Sequence, residues 1–436
     1  MPNRFPPSLL AALVVLAAVA LPATAAASDY VPDEVIVHYE DGTSAHAEAS
    51  VADSTGTVTE QAIPGGSDQL AIADGDSVRE TIAELEAQPN VAYAVPNWRA
   101  HASAYTPNDP GFRLQWNLFD TWGINMPEAW DLATQLGAPG GRGAVVAVLD
   151  SGVAFESRGR FKRAPDLRRK GFVRPYDFIG RDRHPNDSFG HGTHVAGTIA
   201  QHTGNRVGTA GIAYNARIMP LRVLDDEGSG DSAAISRAIR YAAKYGADVI
   251  NLSLEFPAEV RASEIPDVLS ALRRAHRAGV VVVAAAGNQA DPEVAYPARA
   301  SSVIAVGATT TSGCQADYSN GGSDLDLVAP GGGADAPNSD SAWDVAHCRV
   351  DASGRSIYQQ TFTRGLRSFG LPGGYEGTSM ASPHVSAIAA LVIATNRLGP
   401  DPSPRAVEEH LEATARPTDR PDRYGAGLVD AAAALR

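Results

Sequence analysis

The run Ala144-Val145-Val146-Ala147-Val148-Leu149 places six apolar residues in succession and stops at Asp150-Ser151-Gly152. No alternation interrupts it, so it reads as a strand of a parallel sheet buried on both faces. Parallel strands need crossover connections, and these are usually helices. The run therefore commits the chain to the α/β class, with a central parallel sheet and helices on both faces. Ala247-Asp248-Val249-Ile250-Asn251-Leu252-Ser253-Leu254 reads as a second buried strand that runs into a loop. Asp150, at the C-terminal end of its strand, lies where open α/β sheets place their sites.

Two other strings supply possible partners for that carboxylate. In Gly190-His191-Gly192-Thr193-His194-Val195-Ala196-Gly197-Thr198 a histidine opens a small-residue helix, so its ring can face Asp150. In Gly377-Thr378-Ser379-Met380-Ala381-Ser382-Pro383-His384-Val385 a hydroxyl stands at the start of an apolar helical run. The first N–H groups of a helix are unpaired and carry the positive end of its dipole, which suits a developing negative charge. A serine hydroxyl is a weak nucleophile at neutral pH and needs a base. His191 can take that proton and return it to a leaving amine. Asp150 can hold the imidazole in one tautomer and stabilise its charged form. Taken singly, each residue has a plainer role: a cap, a polar core histidine, an N-cap serine. Their joint occurrence carries the chemistry. His191 and His194 do not have the His-Glu-x-x-His spacing of a zinc pair, and His194 is expected to pack or hydrogen-bond behind the site. Gly377–Ala381 is not the Gly-x-Ser-x-Gly elbow of esterases.

The order Asp, His, Ser in LDSGV, GHGTHVAGT and GTSMASPHV resembles the subtilisin-like serine proteases, over most of the chain from about Tyr105 onward. The resemblance implies a three-layer subtilisin-like fold and a serine endopeptidase working through an acyl-enzyme at Ser379. Val281-Val282-Val283-Ala284-Ala285-Ala286-Gly287-Asn288 matches the family segment whose Asn donates its side-chain amide to the oxyanion. Asn288 takes that role, whose loss costs about 10²–10³ in rate in this same family. The family also holds its peptide between two edge strands, here the segments with Gly228, Ser229, Gly230 and with Ser253, Leu254, Glu255. Main-chain hydrogen bonds then give affinity with little sequence demand. The family usually continues Ser-Leu with Gly-Gly, whereas Glu255-Phe256 stand here. Glu255 either attracts a basic side chain before the scissile bond or points to water while Phe256 narrows the cleft. Glu376, where Ser or Asn is usual, adds negative charge near the nucleophile.

A chain of 436 residues has room for one large catalytic domain plus accessories. Residues 1–27 read as a signal peptide: Arg4, an apolar stretch from Leu9 to Leu21, and a small-residue cleavage site at Ala23–Ala25 or Ala25–Ala27. The apolar stretch is too short for a membrane span. A net charge of −14 argues against nucleic acid as a partner and suits a soluble secreted enzyme. Cys314 and Cys348 are the only cysteines. Export permits a disulfide between them, and two separately buried thiols are the other reading. Neither lies in a catalytic string, which removes a cysteine-protease mechanism.

Residues 28–104 alternate like strands at Asp33–Tyr39, Gln69–Ile72 and Val91–Val95. Ser77–Glu80 is a capping-box pattern opening a helix, and a second helix is open to Ala45–Ser54. This small α+β unit resembles the ferredoxin-like inhibitory propeptide of the family, which assists folding and lies in the cleft by its C-terminal tail, here Pro96–Ala104. A permanent N-terminal domain is the alternative. Ala102-Ser103-Ala104 suits a cleavable linker. The catalytic domain then covers residues 105–436.

Its start, Tyr105-Thr106-Pro107-Asn108-Asp109-Pro110, resembles the thermitase-like branch, in which calcium ties down the N-terminus. The resemblance implies side-chain ligands Asp109, Asp166 and Asn205 with carbonyls of Val207 and Thr209, the oxygen shell that calcium takes. No organic cofactor and a monomer are expected. Arg158–Arg174 is strongly basic, either a solvated loop or a self-cleavage site. Gly331–Gly374 is a long Gly-, Ser- and Asp-rich stretch containing Trp343 that leads into the Ser379 string, which would set it beside the cleft. The sequence points to a secreted, autoprocessed serine endopeptidase. A narrow-specificity processing protease is the alternative, and a non-catalytic binding protein would require a lost triad or oxyanion residue.

Overall fold

The computed structural model describes residues 30–98, 105–336, 348, 354–417 and 420–436. The expected signal segment, the Ala102–Ala104 linker and Trp343 lie outside them. The chain divides into two compact units, Met1–Ser103 and Ala104–Arg436.

In the first unit β1 (Tyr30–Tyr39), α1 (Ala45–Ser54), β2 (Thr57–Ile63), β3 (Ser67–Ile72), α2 (Val78–Glu86) and β4 (Val91–Trp98) follow one another. The sheet is antiparallel with order β2-β3-β1-β4, a ferredoxin-like βαββαβ arrangement. Val35, Val37 and Tyr39 alternate inward along β1 and pack on Leu70, Val51, Val78, Leu85, Val91 and Ala94. Ser77 caps α2 reciprocally: its hydroxyl accepts the Glu80 N–H at 3.3 Å, and Glu80 accepts the Ser77 N–H at 3.0 Å. Strand β2 escaped the sequence reading because only Thr57 of its residues is buried, so no apolar alternation marks it.

The second unit opens with α3 (Trp116–Phe119) and α4 (Met126–Gln135). It continues through β5 (Val145–Asp150), β6 (Tyr176–Asp177), α5 (His191–Ala200), β7 (Arg217–Arg222), α6 (Ser232–Lys244) and β8 (Val249–Leu252). Next come α7 (Pro266–Arg277), β9 (Val281–Ala285), β10 (Ile304–Thr309), β11 (Leu327–Pro330) and the small hairpin β12 (Thr361–Phe362) and β13 (Phe369–Gly370). The chain ends with α8 (Thr378–Ala394), α9 (Pro404–Thr414), α10 (Pro421–Tyr424) and α11 (Ala431–Leu435). Seven strands form one sheet in the order β11-β10-β9-β8-β5-β7-β6, every pair parallel.

Both faces of that sheet are covered, which is why its strands read as unbroken apolar runs. Val146 and Val148 face a core shared with α4, α5, α8, α9 and α11. Val145, Ala147 and Leu149 face the core under α6 and α7. Strand β5 comes first in the chain yet sits inside the sheet, with β7 on one side and β8 on the other. The strand order therefore reverses at β5, and a crevice opens beyond its C-terminal end at Asp150.

Part of the long Gly331–Gly374 stretch does not border the cleft. Ile357, Gln359 and Thr361 are fully buried. The Gln359 amide donates to the Ala210 carbonyl at 3.0 Å and accepts the Thr209 hydroxyl at 2.7 Å, so polar side chains replace an apolar core there. Thr361 donates to the Gly190 carbonyl at 2.6 Å, bracing the start of α5 from behind. Cys314 and Cys348 form a disulfide, with Cα atoms 5.8 Å apart. Among the described residues no helix is long and apolar enough to cross a membrane.

Candidate active site

The end of β5 and the start of α5 meet because Gly192 has no side chain. A Cβ there would fall 2.1 Å from the Gly152 carbonyl oxygen and 3.0 Å from the Asp150 Cβ. The helix thus comes close enough for His191 Nδ1 to donate to both oxygens of Asp150, at 2.8 and 3.0 Å. Asp150 is fully buried, and its Oδ1 also accepts the Ser151 N–H at 2.7 Å. With Nδ1 as donor, a neutral ring keeps Nε2 as the acceptor. Burial pulls the His191 pKa down, but the charge and hydrogen bond of Asp150, with Asp187 farther off, outweigh it and hold the value above 6.5.

Asp187 was not singled out from sequence. Its Oδ1 accepts the N–H groups of Phe189 and Gly190 at 2.9 and 2.8 Å and the Ser151 hydroxyl at 3.0 Å. Its Oδ2 accepts the N–H and hydroxyl of Thr193 at 2.9 and 2.6 Å. It thereby satisfies donors at the start of α5 and ties that turn to the residue after Asp150. The signal was an aspartate four residues before His191 with a threonine six residues after it.

Ser379 is the second residue of α8. Its hydroxyl donates to the Ser253 carbonyl at 3.3 Å, and Ser253 returns its own hydroxyl to the Ser379 carbonyl at 2.8 Å. The residue after β8 and the start of α8 are thereby joined. Asn251 on β8 adds to the seam, accepting from Ser382 at 3.0 Å and Ser386 at 2.8 Å. Ser379, His191, Gly228, Ser229, Gly230, Ser253, Leu254 and Glu255 all line one cleft of about 390 Å³. Phe189, Leu224 and Phe256 form its apolar walls.

Asn288 follows β9 and faces the start of α8. Its Oδ1 accepts the Thr378 N–H at 2.8 Å and the Thr378 hydroxyl at 3.0 Å. That assigns the carboxamide's orientation: oxygen towards α8, NH₂ as the remaining donor. The Ser379 N–H belongs to the first helical turn, where no intrahelical partner exists. Glu255, for which a basic side chain or water was expected as partner, turns its carboxylate onto the protein instead. It accepts the Asn288 N–H at 3.0 Å and the Gln289 side-chain amide at 2.7 Å.

His194 lies behind the site, as expected from its place in α5. It is fully buried, donates from Nε2 to the Ile357 carbonyl at 2.9 Å, and stacks on Tyr375 with centroids 4.2 Å apart. Burial pushes its pKa down to about 3, so it stays neutral.

Asp109, Asp166 and Asn205, expected as cation ligands, are linked by hydrogen bonds elsewhere in the unit. Asp109 accepts the N–H groups of Gly204 and Asn205 at 2.7 and 3.1 Å. Asp166 accepts the Asn205 amide at 2.6 Å and the Thr209 N–H at 3.1 Å. Both carboxylates are buried. Burial pushes Asp166 up to about 7; hydrogen bonds from Asn205, Gln201 and Thr209 oppose this, and Asp109 adds to it. Two buried acids beside the Val207–Thr209 loop, with no basic side chain bonded to either among the described residues, suit a hard cation, although Asn205 turns its NH₂ to Asp166 and its amide oxygen to the Val207 N–H at 2.7 Å.

Residues 141–427 match the model of the subtilase family, and residues 17–97 match the fervidolysin N-terminal prodomain. The chain is 35% identical over 372 residues to a thermophilic serine proteinase of Bacillus sp. (strain AK1), covering 84% of this chain and 79% of that one. It is 37% identical over 293 residues to thermitase of Thermoactinomyces vulgaris, covering 67% and 87%. A solved protease from Pseudoalteromonas arctica PAMC 21717 superimposes with a TM-score of 0.61 at 34% identity, covering 76% of this chain and 99% of that one.

Proposed function

The chain belongs to the subtilase family of serine proteases and carries a fervidolysin-type prodomain, and we propose that Ser379, His191, Asp150 and Asn288 perform its reaction. The observation that carries this reading is the His191–Asp150 bond in the same cleft as a serine at a helix start. Substrate binding turns the Ser379 hydroxyl from the Ser253 carbonyl to His191 Nε2; such contacts are often loose before substrate binds. Nε2 takes the proton as Ser379 Oγ attacks the peptide carbonyl, and the imidazolium formed is held by Asp150. The new oxyanion is met by the Asn288 amide and the Ser379 N–H. Proton return from His191 releases the amine and leaves the acyl-enzyme, which water then hydrolyses.

The peptide lies extended between Gly228–Gly230 and Ser253–Glu255, held by main-chain hydrogen bonds that ask little of its sequence. The enzyme is exported by its N-terminal segment, matures by cutting itself between the two units, and is inhibited before that by its own prodomain. Calcium held by Asp109, Asp166, Asn205 and the carbonyls of Val207 and Thr209 supplies the positive charge that the buried acids call for. The test is cleavage of casein and of an internally quenched peptide by the processed enzyme. Ser379→Ala is expected to abolish both; retained cleavage overturns the reading.

A further inference from the structure

Among the described residues the Asn288 NH₂ has no protein hydrogen-bond partner, while the carboxamide oxygen and the N–H groups of residues 287 to 289 are all held. The Gly287 N–H donates to the Thr378 hydroxyl at 3.2 Å, and the Gly287 carbonyl accepts the Asn320 N–H at 3.0 Å. The Asn288 N–H goes to Glu255. The Gln289 N–H goes to the Asn320 side chain at 2.9 Å, and its amide NH₂ goes back to Glu255. Thr378 therefore sets the carboxamide of Asn288, while Glu255 sets the main chain that carries it.

Gly287 makes room for this arrangement. A Cβ at that position would lie 2.7 Å from Glu255 Oε2 and 2.3 Å from the Asn320 amide nitrogen. Its φ of +116° is also one that side-chain-bearing residues rarely adopt. The glycine is thus wedged between the two side chains that accept from its neighbours. A carboxylate accepting two N–H groups makes stronger hydrogen bonds than a neutral acceptor. An oxyanion donor placed about 1 Å off its mark loses much of its worth, so holding the chain that bears it matters to rate.

We propose that Glu255 is a positioning residue for the Asn288 oxyanion donor and not a receptor for a basic substrate side chain. This deepens the proposed function and rests on Asn288 acting there. Glu255 couples the substrate-lining segment after β8 to the loop after β9. The rate of acylation, not the choice of residue before the scissile bond, depends on it.

The test uses processed enzyme counted by active-site titration and two quenched peptides that differ only in Arg or Phe before the scissile bond. Asn288→Ala is the control: an unchanged kcat there sinks the proposed role of Asn288, separately from that of Glu255. Glu255→Gln, which keeps an oxygen for the Asn288 N–H, is expected to retain at least a third of kcat. Glu255→Ala, and Glu255→Leu as a variant of similar size should the first not fold, are expected to lose about tenfold in kcat on both peptides with KM within twofold. In the Asn288→Ala background the Glu255 change should cost less than twofold. A loss confined to the Arg peptide, a change in KM alone, equal losses for Gln and Leu, or the full tenfold added to Asn288→Ala each overturns the proposal.

Discussion

The Ser253 hydroxyl donates to the Ser379 carbonyl at 2.8 Å, where an uninterrupted helix would use the N–H of residue 383, and residue 383 is proline. Pro383 has no N–H to give. The carbonyl of the nucleophile's own residue is therefore satisfied from β8's extension, and the nucleophile is located by a side chain of the substrate-binding segment. Removing one partner leaves a shielded carbonyl short of a donor, at a cost of about 1–3 kcal/mol. Ser253→Ala, made on Ser379→Ala to prevent autolysis, should lower stability in urea by that amount. In a Pro383→Ala background, where an N–H is restored, the same change should cost less than half as much. Equal costs in both backgrounds would show that the bond does not replace the helical one.

His191 must be unprotonated to accept from Ser379. Asp150 holds its pKa above the ordinary 6.5 against the pull of burial. Activity should thus fall as pH drops through a value above 6.5, measured on the acid limb of kcat/KM. Asp150→Asn removes the charge that favours imidazolium, so the limb should move to lower pH while kcat falls by ~10⁴. A limb that stays put would detach Asp150 from His191.

Cys314 and Cys348 are separated by 34 residues, and their bond closes a loop that takes in the first part of the Gly331–Gly374 stretch. Loop closure of that length is worth about 3–4 kcal/mol in the chain-entropy treatment. The double change Cys314→Ser and Cys348→Ser should lower Tm by roughly 5–10 °C in the Ser379→Ala form. No change under reduction would mean that the thiols are unpaired in the folded protein.

The Asp109–Asp166 pair should gain stability from calcium by mass action, about 2.7 kcal/mol when the ion stands at 100 times its Kd. A chelator should lower Tm of the Ser379→Ala protein, and added calcium should restore it. Asp166→Asn should abolish that calcium response. A response unaltered by Asp166→Asn would place the ion elsewhere.

Much of this was legible in the residues. The apolar run of β5 announced a strand buried on both faces, and Asp150 marked the end of the sheet where the strand order reverses. The His191 and Ser379 strings placed their side chains at two helix starts, and the fold sets both helices on the same face of the sheet. What stayed hidden depends on contacts between distant segments. Glu255 reads locally as an exposed acid, and only the turn of the Gly287 chain supplies its donors. The Gly331–Gly374 stretch read as a Gly-, Ser- and Asp-rich segment beside the cleft, yet its Gln359 and Thr361 are buried because main-chain groups near α5 need their hydrogen bonds. Asp187 had a local signal, but its partnership with Ser151 spans 36 residues. Periodicity reports which face is buried, not which polar groups will meet there.

The entire scheme requires one hydroxyl in this chain to be far more reactive than any other serine. The processed enzyme should be treated with a fluorophosphonate and the adduct located by peptide mass mapping. A single adduct on Ser379, slowed in His191→Ala and absent in Ser379→Ala, is the expected result. An active enzyme that takes up no label, or takes it at another serine, would contradict the account.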